Sequence, residues 1–237
     1  MSRRWVVTGG SRGIGLAVAK RALAAGDRVA VLARRPPPEL AATLGETPHL
    51  VLPADVSDPL SVAAAMASVA AQWGGIDVLV NNAGLHRGGK LERLPLEDWN
   101  AVLATNLSGA MHCLRAALPH MGGGASVVNV GAVVGFRGFP GDAAYGASKA
   151  GLAGLTQVMA VELASRQVRV NLVVPGFVIT EMTAAVDERA RERLLARIPL
   201  RREGTEDEIA EVIYWVAGST YMTGAVIPTD GGLMCNL

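Results

Sequence analysis

The chain has 237 residues, of which 50% are hydrophobic and 18% charged, and its formal net charge is +1. That length suits a single domain with a substantial core. A nearly neutral chain lacks the basic field that attracts nucleic acids or anionic membranes, so we expect neither as a partner. Aromatic residues make up only 4% and glycine is abundant at 28 residues, which favours helices packed on a parallel sheet over an aromatic-rich β-sandwich.

The cysteines and the hydropathy pattern indicate where the protein works. Cys113 and Cys235 are too few for a disulfide framework. Every long apolar run is interrupted by glycine or charge before it reaches transmembrane length, and the segment before the first turn is too short for a signal peptide. We therefore expect a soluble cytoplasmic protein.

Short β-branched segments alternate with segments of helical periodicity along the chain. The predicted strands are residues 5–8, 28–33, 49–53, 76–80, 125–130, 168–174 and 225–229. The predicted helices are 14–25, 39–44, 59–73, 96–120 with room for a break, 144–165, 187–197 and 205–217. This alternation predicts one α/β domain over residues 1–237, a Rossmann-type doubly wound parallel sheet of about seven strands flanked by helices.

A glycine cluster, Thr8-Gly-Gly-Ser-Arg-Gly-Ile-Gly15, lies between the first predicted strand and the first helix. Glycines there permit a sharp turn and let a pyrophosphate approach the N–H groups of the helix N-terminus. The spacing differs from the common Gly-x-Gly-x-x-Gly, and the alternative is a plain tight turn. The position favours dinucleotide binding, and the residues expected at the cofactor are Gly9, Ser11, Arg12, Gly13, Ile14 and Gly15.

The end of the second strand indicates which dinucleotide binds. An NAD site usually has an acidic residue there, whereas a 2′-phosphate needs cations. The chain instead has Arg34 and Arg35, no carboxylate before Glu39, and Arg12 in the glycine loop. Arginines suit charge-assisted bonds to a phosphate; the alternative is that they are solvated surface residues. The pattern favours NADPH/NADP+.

Tyr145 and Lys149 lie four residues apart in a predicted helix, so they share one face, one turn apart. An ammonium beside a phenol stabilises the phenolate, and we expect the pKa of Tyr145 to fall from its ordinary value of about 10. Such a phenol can give a proton to a carbonyl oxygen, or take one from an alcohol, near neutral pH. The alternative is a solvated helix face.

Three motifs together resemble the classical short-chain dehydrogenase/reductase family: the glycine loop, Asn81-Asn-Ala-Gly84 and Tyr145-x-x-x-Lys149. The resemblance covers essentially the whole chain. Val133-Val-Gly135, Pro175-Gly-x-x-x-Thr180 and the tail at 221–232 resemble 3-oxoacyl-acyl-carrier-protein reductases, ketoreductases of fatty acid or polyketide biosynthesis. The resemblance also implies a homotetramer paired through helices 96–120 and 144–165.

The resemblance implies roles for further residues and no metal ion. Lys149 would hold the nicotinamide ribose hydroxyls, and Asn106 would hold a water that connects Lys149 to solvent; the alternative for Asn106 is an ordinary polar helix residue. The remaining cofactor contacts would be Asp55 and Val56 at the adenine, the backbone of Asn82, Ala83 and Gly84 along the adenosine ribose, and Pro175, Gly176, Val178 and Thr180 around the nicotinamide carboxamide and phosphates.

One position departs from the family pattern. The family has a serine thirteen residues before the tyrosine, which donates to the substrate carbonyl oxygen, and here that position is Ala132. Its neighbours Gly131 and Val133 have no donor either. Removing one pre-organised donor to an oxyanion costs about 10²–10³ in rate. We therefore expect cofactor binding to survive and turnover to be impaired.

Three explanations of Ala132 compete. The sequence-based preference is a deliberate serine-to-alanine change made to trap a complex. The second is a natural enzyme in which the substrate, Asn129 or Asp142 supplies the missing contact. The third is a family member that keeps the nucleotide site and has lost the chemistry.

Residues 180–203 are expected to form a lid over the substrate. Their alternating charges predict either a solvated helix with internal ion pairs or a basic rim for an acidic carrier protein or phosphopantetheine, aided by Arg166. The side chains considered for an apolar pocket, which otherwise belong to the core, are Phe136, Phe139, Met182 and Met222.

We predict an NADPH-dependent reductase of a 3-oxoacyl thioester or polyketide-type ketone, with Tyr145 as the general acid. The substrate is free or carried by an acyl carrier protein. One alternative is a non-catalytic NADP(H)-binding subunit of a biosynthetic complex, for which Ala132 is the argument. The other is an alcohol dehydrogenase working oxidatively.

Overall fold

A computed structural model describes residues 2–181, 183 and 187–235. Its seven strands form one sheet in the order β3-β2-β1-β4-β5-β6-β7, and every neighbouring pair is parallel. The strands are β1 (Arg4–Thr8), β2 (Arg28–Ala33), β3 (His49–Pro53), β4 (Ile76–Asn81), β5 (Met121–Val130), β6 (Arg169–Pro175) and β7 (Val226–Thr229). The predicted doubly wound α/β fold is confirmed.

Helices cover both faces of the sheet. Within the described residues they are α1 (Gly13–Ala24), α2 (Leu40–Leu44), α3 (Pro59–Trp73), α4 (Leu96–Leu103), α5 (Gly109–Ala117), α6 (Ala143–Glu162), α7 (Glu188–Leu195) and α8 (Glu206–Gly218). Helix α3 has the predicted ends because local signals set them. The Asp58 carboxylate accepts from the Leu60 N–H at 2.9 Å, Pro59 begins the helix, and Gly74 ends it in the left-handed conformation.

The helix predicted over 96–120, with room for a break, is interrupted in the structure. The chain instead forms α4, a π-helical turn at Ala104–Ser108, α5 and a 3₁₀ turn at Leu118–His120. Gly109, which follows the irregular turn, packs closely on Val56. A Cβ at Gly109 would lie only 2.8 Å from Val56 Cγ2. Such π turns occur frequently at functional sites. Strand β5 begins four residues earlier than predicted, and Met121 pairs with Ile76 across a register shift.

The sheet is buried on both faces, as a parallel sheet in this fold must be. Side chains that alternate along each strand belong to two separate hydrophobic clusters. Val7, Val31 and Val80 pack with α1 and α8, whereas Val6, Leu32 and Leu79 pack with α3 and α5. The carboxyl ends of β1, β4, β5 and β6 lie at one edge, where ligands bind in this class of fold.

Two findings bear on the expected location of the protein. No helix in the described ranges is long and apolar enough to cross a membrane. Both cysteines are free thiols, and burial raises the pKa of Cys113 to about 12. A cytoplasmic location stays a prediction.

Candidate active site

The glycine loop between β1 and α1 has a conformation that requires glycine. Gly9 and Gly13 have φ of 63° and 60°, in the left-handed region where a side chain is strained. At Gly15 a Cβ would lie 2.4 Å from Asn82 Nδ2 and 2.5 Å from the Gly9 carbonyl oxygen. The loop therefore brings backbone groups into close approach at the carboxyl end of β1.

Residues after β4 hold this loop in place. The hydroxyl oxygen of Thr8 accepts from the backbone N–H groups of Asn82 and Ala83, both at 3.0 Å. The side-chain amide of Asn82 donates to the carbonyls of Thr8 and Gly9 at 3.0 and 3.1 Å. The Asn-Asn-Ala-Gly motif therefore braces the glycine loop, so the two motifs form one rigid unit.

The N-terminus of α1 fits the pyrophosphate of a dinucleotide. Arg12 precedes the helix in an extended conformation and its side chain makes no capping bond within the described residues, while the first turn has no acidic residue. A Cβ at Gly13 would meet only Glu206 Oε1, at 3.6 Å. Uncapped N–H groups at the positive end of a helix attract anions, so this cradle suits a phosphate.

The three arginines expected at the 2′-phosphate have different surroundings. Arg34 and Arg35 are exposed just beyond β2. The pKa of Asp55 lies below its ordinary value. Partial burial alone would raise this pKa, but the hydrogen bonds from Ser57 and the charge of Arg34 lower it. Arg12 is also exposed, but its Nη1 lies 2.7 Å from Glu181 Oε2. Arg12 therefore contacts the segment after β6.

Tyr145 and Lys149 lie in the first two turns of α6, beside the end of β5. Lys149 is only 3% exposed and its Nζ donates to the Val130 carbonyl at 2.7 Å. The same Nζ lies 5.6 Å from the centre of the Tyr145 ring. The pair is thus part of an interior site, and the alternative of a solvated helix face is excluded.

The expected fall in the pKa of Tyr145 is wrong. Burial and the nearby Asp142 carboxylate raise it to about 12, and burial lowers the pKa of Lys149 to about 8. Removal from water disfavours the charged form of both groups, and the Lys149 ammonium is directed to Val130. Tyr145 is consequently protonated at neutral pH, which is the form that gives a proton.

Asn106 is 2% exposed in the π turn. Its Oδ1 accepts from the Leu85 N–H at 2.7 Å, and its Nδ2 donates to the Leu85 carbonyl and to Ser148 Oγ, both at 3.0 Å. The side chain therefore joins the loop after β4 to α6. Its role in holding a water stays a prediction.

Ala132 begins a 3₁₀ turn, Val133–Gly135, directly after β5. This turn packs against α6, since a Cβ at Gly135 would lie 2.7 Å from the Ala150 nitrogen. Asn129 does not replace the missing donor: it is 1% exposed, and it bonds to Thr156 and Asn81 at 2.9 Å each. The prediction that Asn129 supplies the contact is wrong because its amide is used inside the core.

The structure brings His86, which the motif analysis missed, beside Tyr145. The two rings are nearly perpendicular, with centroids 5.1 Å apart. His86 Nε2 donates to Asp142 Oδ1 at 2.8 Å. The Asp142 carboxylate near the tyrosine therefore has a hydrogen-bond partner. A usable signal was present, because His86 follows the Asn-Asn-Ala-Gly motif at the same sheet edge as Tyr145.

The segment after β6 approaches the site closely. A Cβ at Gly176 would lie 2.6 Å from Asp230 Cα, and Val178, 4% exposed, forms a parallel bridge with Gly204. Thr183 Oγ1 accepts from the Thr180 N–H at 2.9 Å. Together these contacts fix the chain from Pro175 to Thr180 along the edge of the sheet.

Two arginines of the predicted lid have carboxylate partners within the described residues. Arg191 pairs with Glu203, and Arg202 with Glu208 at 2.6 Å, which favours the solvated helix over the basic rim. Arg166 is not part of such a rim. It precedes β6, so it lies at the opposite edge of the sheet from the site, and its guanidinium donates to the Leu118 carbonyl at 2.7 Å.

Two of the side chains considered for an apolar pocket, Phe139 and Met222, lie in different clusters. Phe139 packs in the cluster of α6 and β6, whereas Met222 packs in the cluster of α1 and α8. The prediction that Phe139 and Met222 line one apolar pocket is therefore wrong. Phe136 is 39% exposed, and Met182 lies outside the described residues. No group of three or more His, Cys, Asp or Glu side chains in the described part of the chain could hold a metal.

A phosphate cradle and a tyrosine–lysine pair therefore share the carboxyl edge of one parallel sheet. The first suits the phosphates of a dinucleotide, and the second has the chemistry to move a proton at a carbonyl or alcohol oxygen. This combination defines a nicotinamide-dinucleotide-dependent oxidoreductase.

Comparisons with known proteins agree with that class. The profile of a family described as enoyl-(acyl carrier protein) reductase matches residues 9–234. A 3-oxoacyl-(acyl-carrier-protein) reductase from Thermotoga maritima is 46% identical over 184 residues, 76% of this chain and 75% of that protein. A short-chain dehydrogenase/reductase from Serratia marcescens superposes with a TM-score of 0.93 at 34% identity, covering 98% of both chains.

A further structure, the RhlG/NADP active-site complex from Pseudomonas aeruginosa, superposes with a TM-score of 0.92 at 35% identity, covering 98% of this chain and 96% of that one. The chain belongs to the short-chain dehydrogenase/reductase family.

Proposed function

We propose that the chain reduces the ketone of a 3-oxoacyl thioester or a polyketide-type substrate to the alcohol, with NADPH as the reductant. The observation that carries the proposal is Tyr145 beside the buried Lys149, with 5.6 Å from Nζ to the centre of the tyrosine ring, at the edge that holds the phosphate cradle. The similarity to a 3-oxoacyl-(acyl-carrier-protein) reductase supports the substrate class.

The residues of the chain have distinct tasks in this reaction. A dihydronicotinamide held at this edge of the sheet would supply a hydride for the carbonyl carbon. Tyr145 gives its hydroxyl proton to the carbonyl oxygen, and the Lys149 ammonium stabilises the phenolate that remains. Lys149 has three donors, of which Val130 takes one, so the others are free to hold the nicotinamide ribose hydroxyls.

The cofactor would lie along the sheet edge. We propose that the glycine loop holds its pyrophosphate, that Asp55 and Val56 contact its adenine, and that residues 82–84 line its adenosine ribose. Residues 175–180 would surround its nicotinamide. Segment 180–203 would act as the lid of a single domain spanning residues 1–237.

We also propose a homotetramer, because apolar side chains on the outer faces of α4, α5 and α6 lie in water in the single chain. Their exposed fractions are 76% for Leu96, 37% for Met111, 53% for Val158 and 79% for Val161. Pairing of these helices across twofold axes would bury them.

The reductase proposal is tested by following NADPH oxidation with acetoacetyl-CoA, and with the same acyl group on an acyl carrier protein. We expect turnover, because the acid and its charged partner are both in place. Tight NADPH binding without turnover of either substrate would contradict the proposal and favour the non-catalytic NADP(H)-binding subunit. Faster oxidation of the 3-hydroxyacyl product at neutral pH would favour the dehydrogenase.

Cofactor selectivity depends on the arginines beyond β2. We expect Arg34→Ala to weaken NADPH binding about tenfold, because it removes a charge-assisted contact to the 2′-phosphate, and to leave NADH binding unchanged. Both affinities are measured by cofactor fluorescence. Arg28→Ala is the matched control, since Arg28 is exposed at the opposite end of the same strand. Equal affinities of the parent chain for NADPH and NADH would contradict the assignment.

The origin of Ala132 has a measurable consequence. If it is an engineered change that disables the enzyme, restoring serine raises kcat about 10²–10³-fold. If another side chain of the native protein supplies the contact, the gain is small. Asn129 is committed to the core, which leaves the substrate or Asp142 for the second explanation.

A further inference from the structure

We propose that His86, held by Asp142, donates to the substrate carbonyl oxygen the hydrogen bond that a hydroxyl at position 132 provides elsewhere in the family. The inference rests on the reductase function proposed above. Tyr145 still gives the proton that ends on the product, and His86 keeps its own. His86 is then a catalytic residue, and Asp142 is the residue that positions it.

His86 is held in position from both sides of its loop. The residue before it, Leu85, exchanges two backbone hydrogen bonds with the side chain of Asn106. Three residues after it, the Gly89 N–H donates to the Gly141 carbonyl at 2.8 Å, and Gly89 forms a parallel bridge with Asp142. The loop after β4 and the loop before α6 are therefore joined, and they carry His86 and Asp142 toward each other.

The imidazole lies against the ring of Tyr145. Its centroid is 5.1 Å from that of the Tyr145 ring, and its side chain is 37% exposed, so a substrate oxygen that meets the tyrosine hydroxyl comes near it. The absence of a side chain at Gly88 makes room for the imidazole, because a Cβ at that position would lie 3.2 Å from His86 Cε1. The ring has access to the substrate that the buried Asn129 lacks.

Asp142 uses one ring nitrogen and leaves the other for the substrate. Nε2 donates to its carboxylate at 2.8 Å, whereas Nδ1 has no hydrogen-bond partner among residues 2–181, 183 and 187–235. A protonated imidazole donates from both nitrogens. Nδ1–H is therefore the donor available to an oxygen on which negative charge develops.

The surrounding charges favour the protonated ring. The hydrogen bond and the charge of Asp142 raise the pKa of His86 above its ordinary value, against a smaller opposing effect of partial burial. Tyr145, whose ring is in contact with the imidazole, is neutral below its pKa of about 12, and Lys149 lies beyond the tyrosine ring. The imidazolium and its contribution persist below the raised pKa and disappear as the pH rises through it.

A purely structural explanation is that His86 and Asp142 only fasten two loops together. His86→Gln separates the two explanations, because the glutamine amide can keep the bond to Asp142 but has no donor in place of Nδ1. Ala132→Ser is made in the parent chain and in His86→Gln. For all four proteins we measure kcat with acetoacetyl-CoA, the Kd for NADPH and the melting temperature.

We expect His86→Gln to lower kcat about tenfold to a hundredfold with the NADPH Kd and melting temperature nearly unchanged. Ala132→Ser should restore most of that loss in the His86→Gln background and alter the parent less than about threefold. The kcat of the parent should fall as the pH rises through the pKa of His86, and the pH profile of His86→Gln should lack this fall.

An equal gain from Ala132→Ser in both backgrounds would overturn the inference, and so would an unchanged kcat in His86→Gln. If none of the four proteins turns over the ketone although all bind NADPH, the proposed reductase function fails, and this inference fails with it. Turnover in the parent chain together with either of the first two results overturns only the role of His86.

Discussion

Tyr145→Phe is expected to lower kcat for ketone reduction about a thousandfold or more, because the reaction then lacks its proton donor. The NADPH Kd should change little, since the phosphate cradle is formed by β1, α1 and the loop after β4. The ring stays in place beside His86, 5.1 Å between centroids, and keeps its packing. Stopped-flow NADPH oxidation and a fluorescence titration measure the two quantities.

Tyr221→Phe is the matched control, because Tyr221 is fully exposed and distant from α6 in sequence. It loses the same hydroxyl without a change in kcat. If Tyr145→Phe retains more than about a tenth of the parent activity, another group is the proton donor.

Lys149→Met is expected to have opposite effects on catalysis and stability. Activity should fall on the order of 10²–10³-fold, because the phenolate left on Tyr145 loses its neighbouring charge, and NADPH binding should weaken. The folded protein, however, no longer holds a charge in its interior. The lowered pKa of Lys149, about 8, corresponds to a burial cost on the order of 3 kcal/mol.

Part of that gain is offset because the Val130 carbonyl loses its partner, which costs about 1–2 kcal/mol. The net expectation is a stabilisation of about 1–2 kcal/mol, or a rise of a few degrees in melting temperature. Lys20→Met is the control, since Lys20 is exposed on α1. A melting temperature below that of the parent would contradict the burial argument.

The pH dependence gives an independent check on Lys149. Its pKa is about 8 in the folded chain and 10.5 when unfolded, so between these values the unfolded chain binds more protons. The parent therefore gains stability as the pH rises through this window, and Lys149→Met lacks this gain. The difference in melting temperature between Lys149→Met and the parent should therefore shrink between about pH 7 and about pH 9.5. A constant difference would show that Lys149 titrates normally.

Local sequence signals were enough for much of the fold. Strands β2 and β3 and helix α3 have the predicted ends, because β-branched runs, Asp58, Pro59 and Gly74 act within a few residues of where they stand. The glycine loop was also visible, since its short turn between strand and helix can be recognised without knowledge of the rest of the molecule.

Distant contacts decided the rest. The break at Ala104–Ser108 accompanies the packing of Gly109 on Val56, more than 50 residues away along the chain. The direction of the Asn129 amide depends on Asn81 and Thr156, which come from two other elements. Neither can be read from periodicity, because each depends on which segments the sheet order brings together.

The tyrosine and the lysine at the centre of the site show the same division. Their spacing predicted one shared helix face, and the resemblance of the surrounding motifs placed that face beside the cofactor. Their pKa values and the approach of His86 and Asp142 arise from folding, because desolvation and the joining of two loops exist only once α6 has packed on β5. The identities of the reacting groups are therefore local information, whereas their protonation states and their neighbours are properties of the folded chain.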